Sequence, residues 1–557
     1  MPESIRSSTP RHPDAPFSNP GWQLWPGLLL ASLLLILAGG GLGALFWQAE
    51  LPRVAVLWEN RYLRNVLSFT LWQATLSVAL SLLLALPVAR ALARQPCFPG
   101  RSLLLRLMEL SLVVPTIVAV SGVVGVYGRQ GWLTTLVNDW APALSWNLYG
   151  INGIVLTHVF FNAPLAARIL LQTLENVPQP QWRIASQLGL SSGWVWRALE
   201  WPALRPVLPG IAALIFTLCF TSFAIIMTLG GGPAATTIEV AIYQSLRFDF
   251  DFGRAALLAT VQLLICGSVW WLASRRGMTH ALVPGRQVAE QVPRKDGSGL
   301  RGLWDRLLLL TFTLFLIAPL AAVALRGLPG LVSTLTQSGS GGRLWDATLL
   351  SLAIAIPAGA SSVLAALLVL ASNGSTQKGI PGQISATAAY LPLMVPPLVL
   401  GTGLFLLLRP QLGVTSEGLI LVGLINSIMA LPFVLQMLRG PLRGLDIASI
   451  HQADQLGILG WYRWRWLHWP RMRRPLALAM AYATGLSLGD FGVIALFGSP
   501  DEPTIPVLLY QQLGSYQMAA AAGTGLWLIT VLLAVFALFN LLGRPPATAN
   551  LREPEHA

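Results

Sequence analysis

The chain has 557 residues, of which 54% are hydrophobic and 11% charged, with a mean hydropathy of +0.63. Soluble domains carry about 25% charged residues, so this composition excludes a water-soluble multidomain enzyme. A chain this apolar also buries enough surface to exclude disorder.

The apolar segments long enough to cross a bilayer core of ~30 Å fall at 25–47, 67–92, 103–127, 151–174, 207–228, 255–273, 305–325, 345–371, 384–408, 418–438, 475–497 and 521–543. They predict an all-α polytopic membrane protein of about twelve transmembrane helices. The first follows a polar stretch and precedes no small-residue cleavage site, so it reads as a retained span and not a signal peptide. Pro115, Pro164, Pro396, Pro397 and Pro432 lie inside these segments and predict kinks.

The net charge of +13 raises nucleic acid as a partner. In a membrane chain the same excess reads as arginine-rich cytoplasmic loops. Arg90, Arg94 and Arg101 follow the second span; Arg183, Arg197 and Arg205 follow the fourth; Arg275, Arg276 and Arg286 follow the sixth; Arg463, Arg465 and Arg471 follow the tenth. The opposite loops are poorer, although Arg53, Arg61 and Arg64 run against the trend. This count puts both termini in the cytoplasm, and makes the lipid bilayer the partner instead of nucleic acid.

A polar stretch from about Arg275 to Arg306 divides the chain with six spans on each side, and the two sides repeat. Ala185-Ser186-Gln187-Leu188-Gly189, after the fourth span, recurs 268 residues later as Ala453-Asp454-Gln455-Leu456-Gly457 (453 against 185). The same offset pairs Trp196-Arg197 with Trp464-Arg465, Leu199 with Leu467, Trp201-Pro202 with Trp469-Pro470, Pro164 with Pro432 and Phe223 with Phe491. An offset of 267 pairs Ile238 with Ile505 and Tyr243-Gln244 with Tyr510-Gln511. Two homologous halves of six spans have the same orientation in the membrane, and imply a pathway on the axis between them.

Catalytic chemistry is absent from this pattern. Lys295 and Lys378 are the only lysines, and neither stands in the Gly-Lys-[Ser/Thr] context of a phosphate-binding loop. Gly189-Leu190-Ser191-Ser192-Gly193 matches a hydrolase elbow, but no strand precedes it, so it reads as a turn between helices. Cys97, Cys219 and Cys266 read as small apolar residues, and the six histidines form no ligand pair; His158, inside a span, reads as a packing donor. No catalytic residue, cofactor or metal is expected.

The repeated loop holds a short helical run (Gln181–Leu188, and Ile450–Leu456 in the second half), a glycine suited to ending it, and a second run ending at Trp-Pro. Its spacing resembles the coupling-loop motif E-A-A-x3-G-x9-I-x-L-P of type I binding-protein-dependent ABC importer permeases. Counted from Gly189, Ala185 takes the second alanine, Leu199 the isoleucine and Trp201-Pro202 the Leu-Pro; from Gly457, these are Ala453, Leu467 and Trp469-Pro470. The glutamate position departs, holding Arg183 and His451, and the first alanine is Ile184 and Gln452. The resemblance implies the type I permease fold, and assigns Gln187, Leu188, Gln455 and Leu456 to the face toward an ATPase.

A narrower resemblance, to thiamine importer permeases, rests on Leu229-Gly230-Gly231-Gly232-Pro233-Ala234-Ala235-Thr236-Thr237-Ile238-Glu239, His158-Val159-Phe160-Phe161-Asn162 and Ser487-Leu488-Gly489-Asp490-Phe491-Gly492. It implies import of thiamine and its phosphate esters across a bacterial inner membrane. It also implies two partners: a periplasmic thiamine-binding protein and a homodimeric ABC ATPase. A ferric-iron or other small-solute ABC permease is the alternative within this class, and an ion-coupled secondary transporter the alternative outside it.

On this reading residues 1–24 form a cytoplasmic tail, 25–275 the first half (core 67–273, coupling loop 176–206) and 276–304 a cytoplasmic linker. Residues 305–543 form the second half (core 345–543, coupling loop 440–474), and 544–557 a cytoplasmic tail. Asp490 is a carboxylate in the eleventh span, suited either to attract a cation or to cap a helix at a glycine-rich break. Phe223 and Phe491 fit either the pathway wall or helix packing, and Ser222 is a further pathway candidate. Glu239 reads as a periplasmic loop charge, solvated or receiving the binding protein.

Overall fold

The computed structural model describes residues 24–48, 55–96, 98–140, 147–230, 232–275, 299–336, 340–372, 396–412, 417–443, 452–453, 455–458, 460–499 and 501–544. Nearly all of the expected tails, most of the linker 276–304, Cys97, the start of the expected run Ile450–Leu456 (Ile450 and His451) and Asp454 lie outside them. Among the described residues the secondary structure is helical throughout. The first half contains α1 (Leu24–Gln48), α2 (Arg61–Arg94), α3 (Arg101–Val113), α4 (Thr116–Tyr127), α5 (Ile151–Glu175), α6 (Gln179–Gln187), α7 (Leu208–Phe220), α8 (Ala224–Leu229), α9 (Ile238–Arg247) and α10 (Phe252–Arg275). The second contains α11 (Leu300–Thr336), α12 (Ser340–Ser372), α13 (Pro397–Leu412), α14 (Glu417–Arg443), α15 (Trp469–Leu488), α16 (Gly492–Phe497), α17 (Ile505–Gly514) and α18 (Met518–Leu542).

Among the described residues, seven helices are long and apolar enough to cross a membrane, and two bent pairs bring the number to nine. α1 and the α15–α16 pair coincide with two more expected spans, while the first part of 384–408 lies outside the described residues. Lipid-facing leucines such as Leu307, Leu310 and Leu314 on α11 and Leu533, Leu538 and Leu541 on α18 are exposed. Their hydrocarbon finds its solvent in the bilayer.

Local chemistry sets the helix ends. The Asn60 side chain accepts hydrogen bonds from the amides of Tyr62 (2.9 Å) and Leu63 (3.4 Å), starting α2. Pro115 and Pro396 stand just before helices and Pro397 begins one, whereas Pro164 and Pro432 lie inside α5 and α14. Val114 is accordingly extended, because a residue preceding proline is disfavoured in the helical region. The third expected span is therefore broken at Pro115 into α3 and α4 instead of kinked.

The repeat is visible at the level of single turns. α5 starts 268 residues before Leu419 inside α14, and the α7–α8 break at 221–223 recurs as the α15–α16 break at 489–491. Upstream of α5 the register shifts to 281: Pro115 answers Pro396 and Gly122 answers Gly403. Thr70 in α2 likewise answers Ser351 in α12. The Thr70 Oγ1 accepts from the Ile238 amide at 3.0 Å and the Ser351 Oγ from the Ile505 amide at 3.0 Å, so each hydroxyl fixes the start of α9 or α17 by the same bond.

The first helix of each half packs across the other. α1 lies against α12 and α13 as well as α10, and α11 lies against α2, α3 and α4 as well as α18. Glycines permit both crossings. A Cβ on Gly122 of α4 would strike the Pro319 carbonyl of α11, and one on Gly403 of α13 would strike the Gly41 backbone of α1. Association inside lipid depends on such close backbone approach, because burying apolar surface gives little drive there. An ion pair, Arg94 Nη1 to Asp305 Oδ2 at 3.3 Å, ties α2 to α11.

Candidate functional site

The repeated loops form the first site. Pro178 and Pro180 set the backbone for α6, which begins two residues before the expected Gln181. At its end Gly189 turns left-handed (φ +62°), and the Leu190 amide reaches back to the Ala185 carbonyl at 3.0 Å. In the second half Gly457 has φ +67° and the Ile458 amide meets the Ala453 carbonyl at 2.9 Å. Glycine occupies that conformation without the clash a Cβ brings.

These turns sort the predicted residues into two sets. Ala185 and Ala453 are buried, while Gln187, Leu188, Gly189, Gln455, Leu456 and Gly457 are exposed. Leu188 is 69% and Leu456 75% exposed, a pair of projecting leucines backed by a buried alanine. Leu199 and Leu467 are half-buried; Trp201, Pro202, Trp469 and Pro470 are exposed. Each loop then opens into one wider, π-helical turn, Trp196–Glu200 and Trp464–His468, before its descending helix. Arg183, at the departing glutamate position, is exposed and donates to Gln179 Oε1 at 3.4 Å.

Sequence reasoning missed the bond that anchors the first loop. Arg90 Nε of α2 donates to Glu200 Oε2 at 2.8 Å, with the Glu200 side chain fully buried and that of Arg90 22% exposed. The guanidinium carbon of Arg90 also lies 4.3 Å from the centre of the Trp196 ring, a cation–π contact. The second loop lacks this pair: Ala371 stands where α2 has Arg90, and His468 where the first loop has Glu200. His468 is buried, and burial together with Arg463 and Arg471 lowers its pKa below the usual imidazole value. The described turns of the two loops match, while the Arg90–Glu200 pair is particular to the first.

The second site lies between the halves. Phe223 and Phe491, predicted as symmetric residues, stack on each other with ring centres 5.6 Å apart. Tyr243 packs on Phe223 at 5.1 Å and Tyr510 on Phe491 at 4.7 Å. Both phenylalanines are buried. The four rings form one continuous aromatic layer, two from each half.

On the coupling-loop side of this layer is a cavity of about 230 Å³, lined from one half by Leu214, Thr217, Thr221 and Trp270 and from the other by Asn426, Phe433, Ser487 and Asp490. Asp490 lies beside the Asn426 side chain and the first amides of α16. Asn426 Nδ2 donates to Ser487 Oγ at 3.0 Å. Ser222 is the counterpart of Asp490, 268 residues earlier, and is half-buried. His158, counterpart of Asn426, meets Ser77 Oγ through Nδ1 at 3.0 Å, the packing contact expected of it. Cys219 and Cys266 are buried.

Glu239 corrects the sequence reading. It is 1% exposed and accepts from Gln262 Nε2 at 2.8 Å, so it is neither a solvated charge nor a surface for another protein. α9 folds back against α10 and buries this face, which hydropathy alone does not reveal.

A family profile described as Binding-protein-dependent transport system inner membrane component matches residues 85–274. The thiamine transport system permease protein ThiP of Escherichia coli (strain K12) is 42% identical over 531 residues, covering 95% of this chain and 97% of that protein. ThiP of Salmonella typhimurium is 41% identical over 531 residues, with the same coverage. ThiP of Brucella abortus (strain 2308) is 41% identical over 519 residues, 91% of this chain and 93% of that protein. The chain belongs to this permease family. The permease is thus a multi-pass inner-membrane transport component and not a catalytic enzyme. Residues 85–274 run from within α2 into α10 of the permease and enclose the first of its two repeated loops.

Proposed function

We propose that the permease imports thiamine from periplasm to cytoplasm, driven by a separate dimeric ABC ATPase and supplied by a periplasmic thiamine-binding protein. The observation that carries this reading is identity above 40% to thiamine transport permeases along nearly the whole of both chains. The exposed Leu188 and Leu456 knobs fit the geometry such coupling needs, one for each ATPase subunit. Arginine-rich loops support a cytoplasmic position for both knobs and for both termini.

The mechanism is alternating access. Taking the aromatic layer as the seal, with the cavity on the coupling-loop side, we assign this conformation to the inward-facing state. ATP binding draws the two knobs together, α7 and α15 carry the motion to Phe223 and Phe491, and the layer opens outward. The nucleotide state shifts the equilibrium only through its different contacts with the two conformations.

In proteoliposomes holding the permease, its ATPase and its binding protein, thiamine uptake is expected to be vanadate-sensitive and to require all three. Uptake without the ATPase overturns the reading. Removing both central rings, with Phe223→Ala and Phe491→Ala, is expected to open a passive leak. Preloaded thiamine then leaves the vesicles without ATP; vesicles as tight as wild type show that the layer is not the seal.

A further inference from the structure

We propose that Asp490, with Asn426 and Ser487, forms a one-sided station for a cationic aromatic ring in the cavity between the halves, a reading that rests on the proposed import of thiamine. Three observations converge. The Asp490 Oδ2 atom is buried and has no hydrogen-bond partner, a costly condition for a carboxyl oxygen. A helix-capping role accounts for the nearby amides of α16 and leaves that oxygen unexplained. Among the described residues, no lysine or arginine lines the cavity, so the charge has no internal counter-ion on this wall.

The walls supply the rest of the chemistry. Trp270 from the first half and Phe433 from the second present aromatic surface to the same cavity, and aromatic faces attract cations and stack on rings. At about 230 Å³ the space falls below the ~300 Å³ at which pockets enclose whole small-molecule ligands. It suits one charged ring, with the remainder of the solute extending beyond it.

The repeat shows that this chemistry belongs to one half. The equivalent positions of the first half are Ser222 for Asp490, His158 for Asn426 and Cys219 for Ser487. Two of these are engaged internally: His158 meets Ser77, and Asn162 Nδ2 donates to Cys219 Sγ at 3.2 Å. Ala430 replaces Asn162 in the second half and lines the cavity. A twofold scaffold therefore presents a single carboxyl, matched to one cation per transport cycle.

Two readouts on the full permease–ATPase complex in nanodiscs or proteoliposomes test this. The first is equilibrium binding of a benzyl-substituted thiazolium cation and of its neutral thiazole counterpart, without the binding protein. The second is thiamine uptake with the loaded binding protein at saturation. Asp490→Asn is expected to weaken thiazolium binding by roughly tenfold or more, to leave thiazole binding unchanged, and to slow uptake while ATP hydrolysis still responds to the binding protein. Asp490→Glu is expected to restore part of the thiazolium affinity. Unchanged thiazolium binding in Asp490→Asn overturns the station. Thiazolium binding lost with Asp490, in a complex that imports no thiamine, upholds the station and overturns the substrate reading. Should Asp490→Asn fail to accumulate, Phe433→Ala is expected to weaken thiazolium binding and Phe433→Trp to retain it; equal binding by both overturns the proposal.

Discussion

Replacing Gly189 and Gly457 together by tryptophan is expected to reduce thiamine uptake to the level of membranes lacking the permease, with the same amount of protein inserted. Both glycines are left-handed, with φ of +62° and +67°, and a Cβ at either meets nothing within 4 Å. Within the permease the substitution therefore costs only backbone strain of about 1–2 kcal/mol at each site. That penalty falls at the edge of exposed loops and does not unfold the spans. In the working complex, each added side chain projects from the surface that carries Leu188 or Leu456. Uptake and binding-protein-stimulated ATP hydrolysis fail together if this surface meets the ATPase. Normal uptake by the double variant, quantified against inserted protein, removes the coupling assignment. The double alanine variant keeps the strain and omits the bulk, so it is expected to transport at a substantial rate.

Arg90→Met is expected to be more damaging than Glu200→Met, and the double variant milder than Arg90→Met alone. The asymmetry follows from burial. Without Arg90, a fully buried carboxylate loses its guanidinium; without Glu200, a guanidinium that is 22% exposed turns toward water and keeps its face on Trp196. Breaking a buried pair from one side costs about 3–5 kcal/mol, and replacing both partners by apolar groups recovers much of it. Exposed pairs such as Arg254–Asp249 are worth ~0–1 kcal/mol and predict no such pattern. Thermal unfolding of the detergent-solubilised permease, read beside uptake, checks the order. Equal losses for the two single variants show that the pair does not anchor the loop. In the second loop His468 stands at the position of Glu200, so this arginine–glutamate test applies to the first loop.

The repeat at an offset of 268 was legible because loop and descending helix are collinear in the two halves, down to the glycine turn and the wider helical turn after it. The earlier register of 281 was hidden by the connection between α4 and α5, which is thirteen residues longer in the first half (281 against 268). That shift kept Gly122 from being matched to Gly403, and Thr70 to Ser351. Glu239 was misread because a charge beside a Gly-Pro turn looks the same in sequence whether its helix faces water or folds inward. Arg90 and Glu200 lie 110 positions apart, and no periodicity links them.

The sequence by itself determined the solvent, the spans, the twofold repeat and the exposed turns, because hydropathy, glycine and proline act locally along the chain. Tertiary structure alone decided the exchange of α1 and α11 between halves, the stacking of four aromatic rings across the halves, and the placement of half-buried Asp490 in a cavity lined by both halves. Those features depend on which helix faces approach one another. In lipid, that choice is made by backbone contact at small residues and by paired polar groups, since apolar burial is nearly the same for every arrangement.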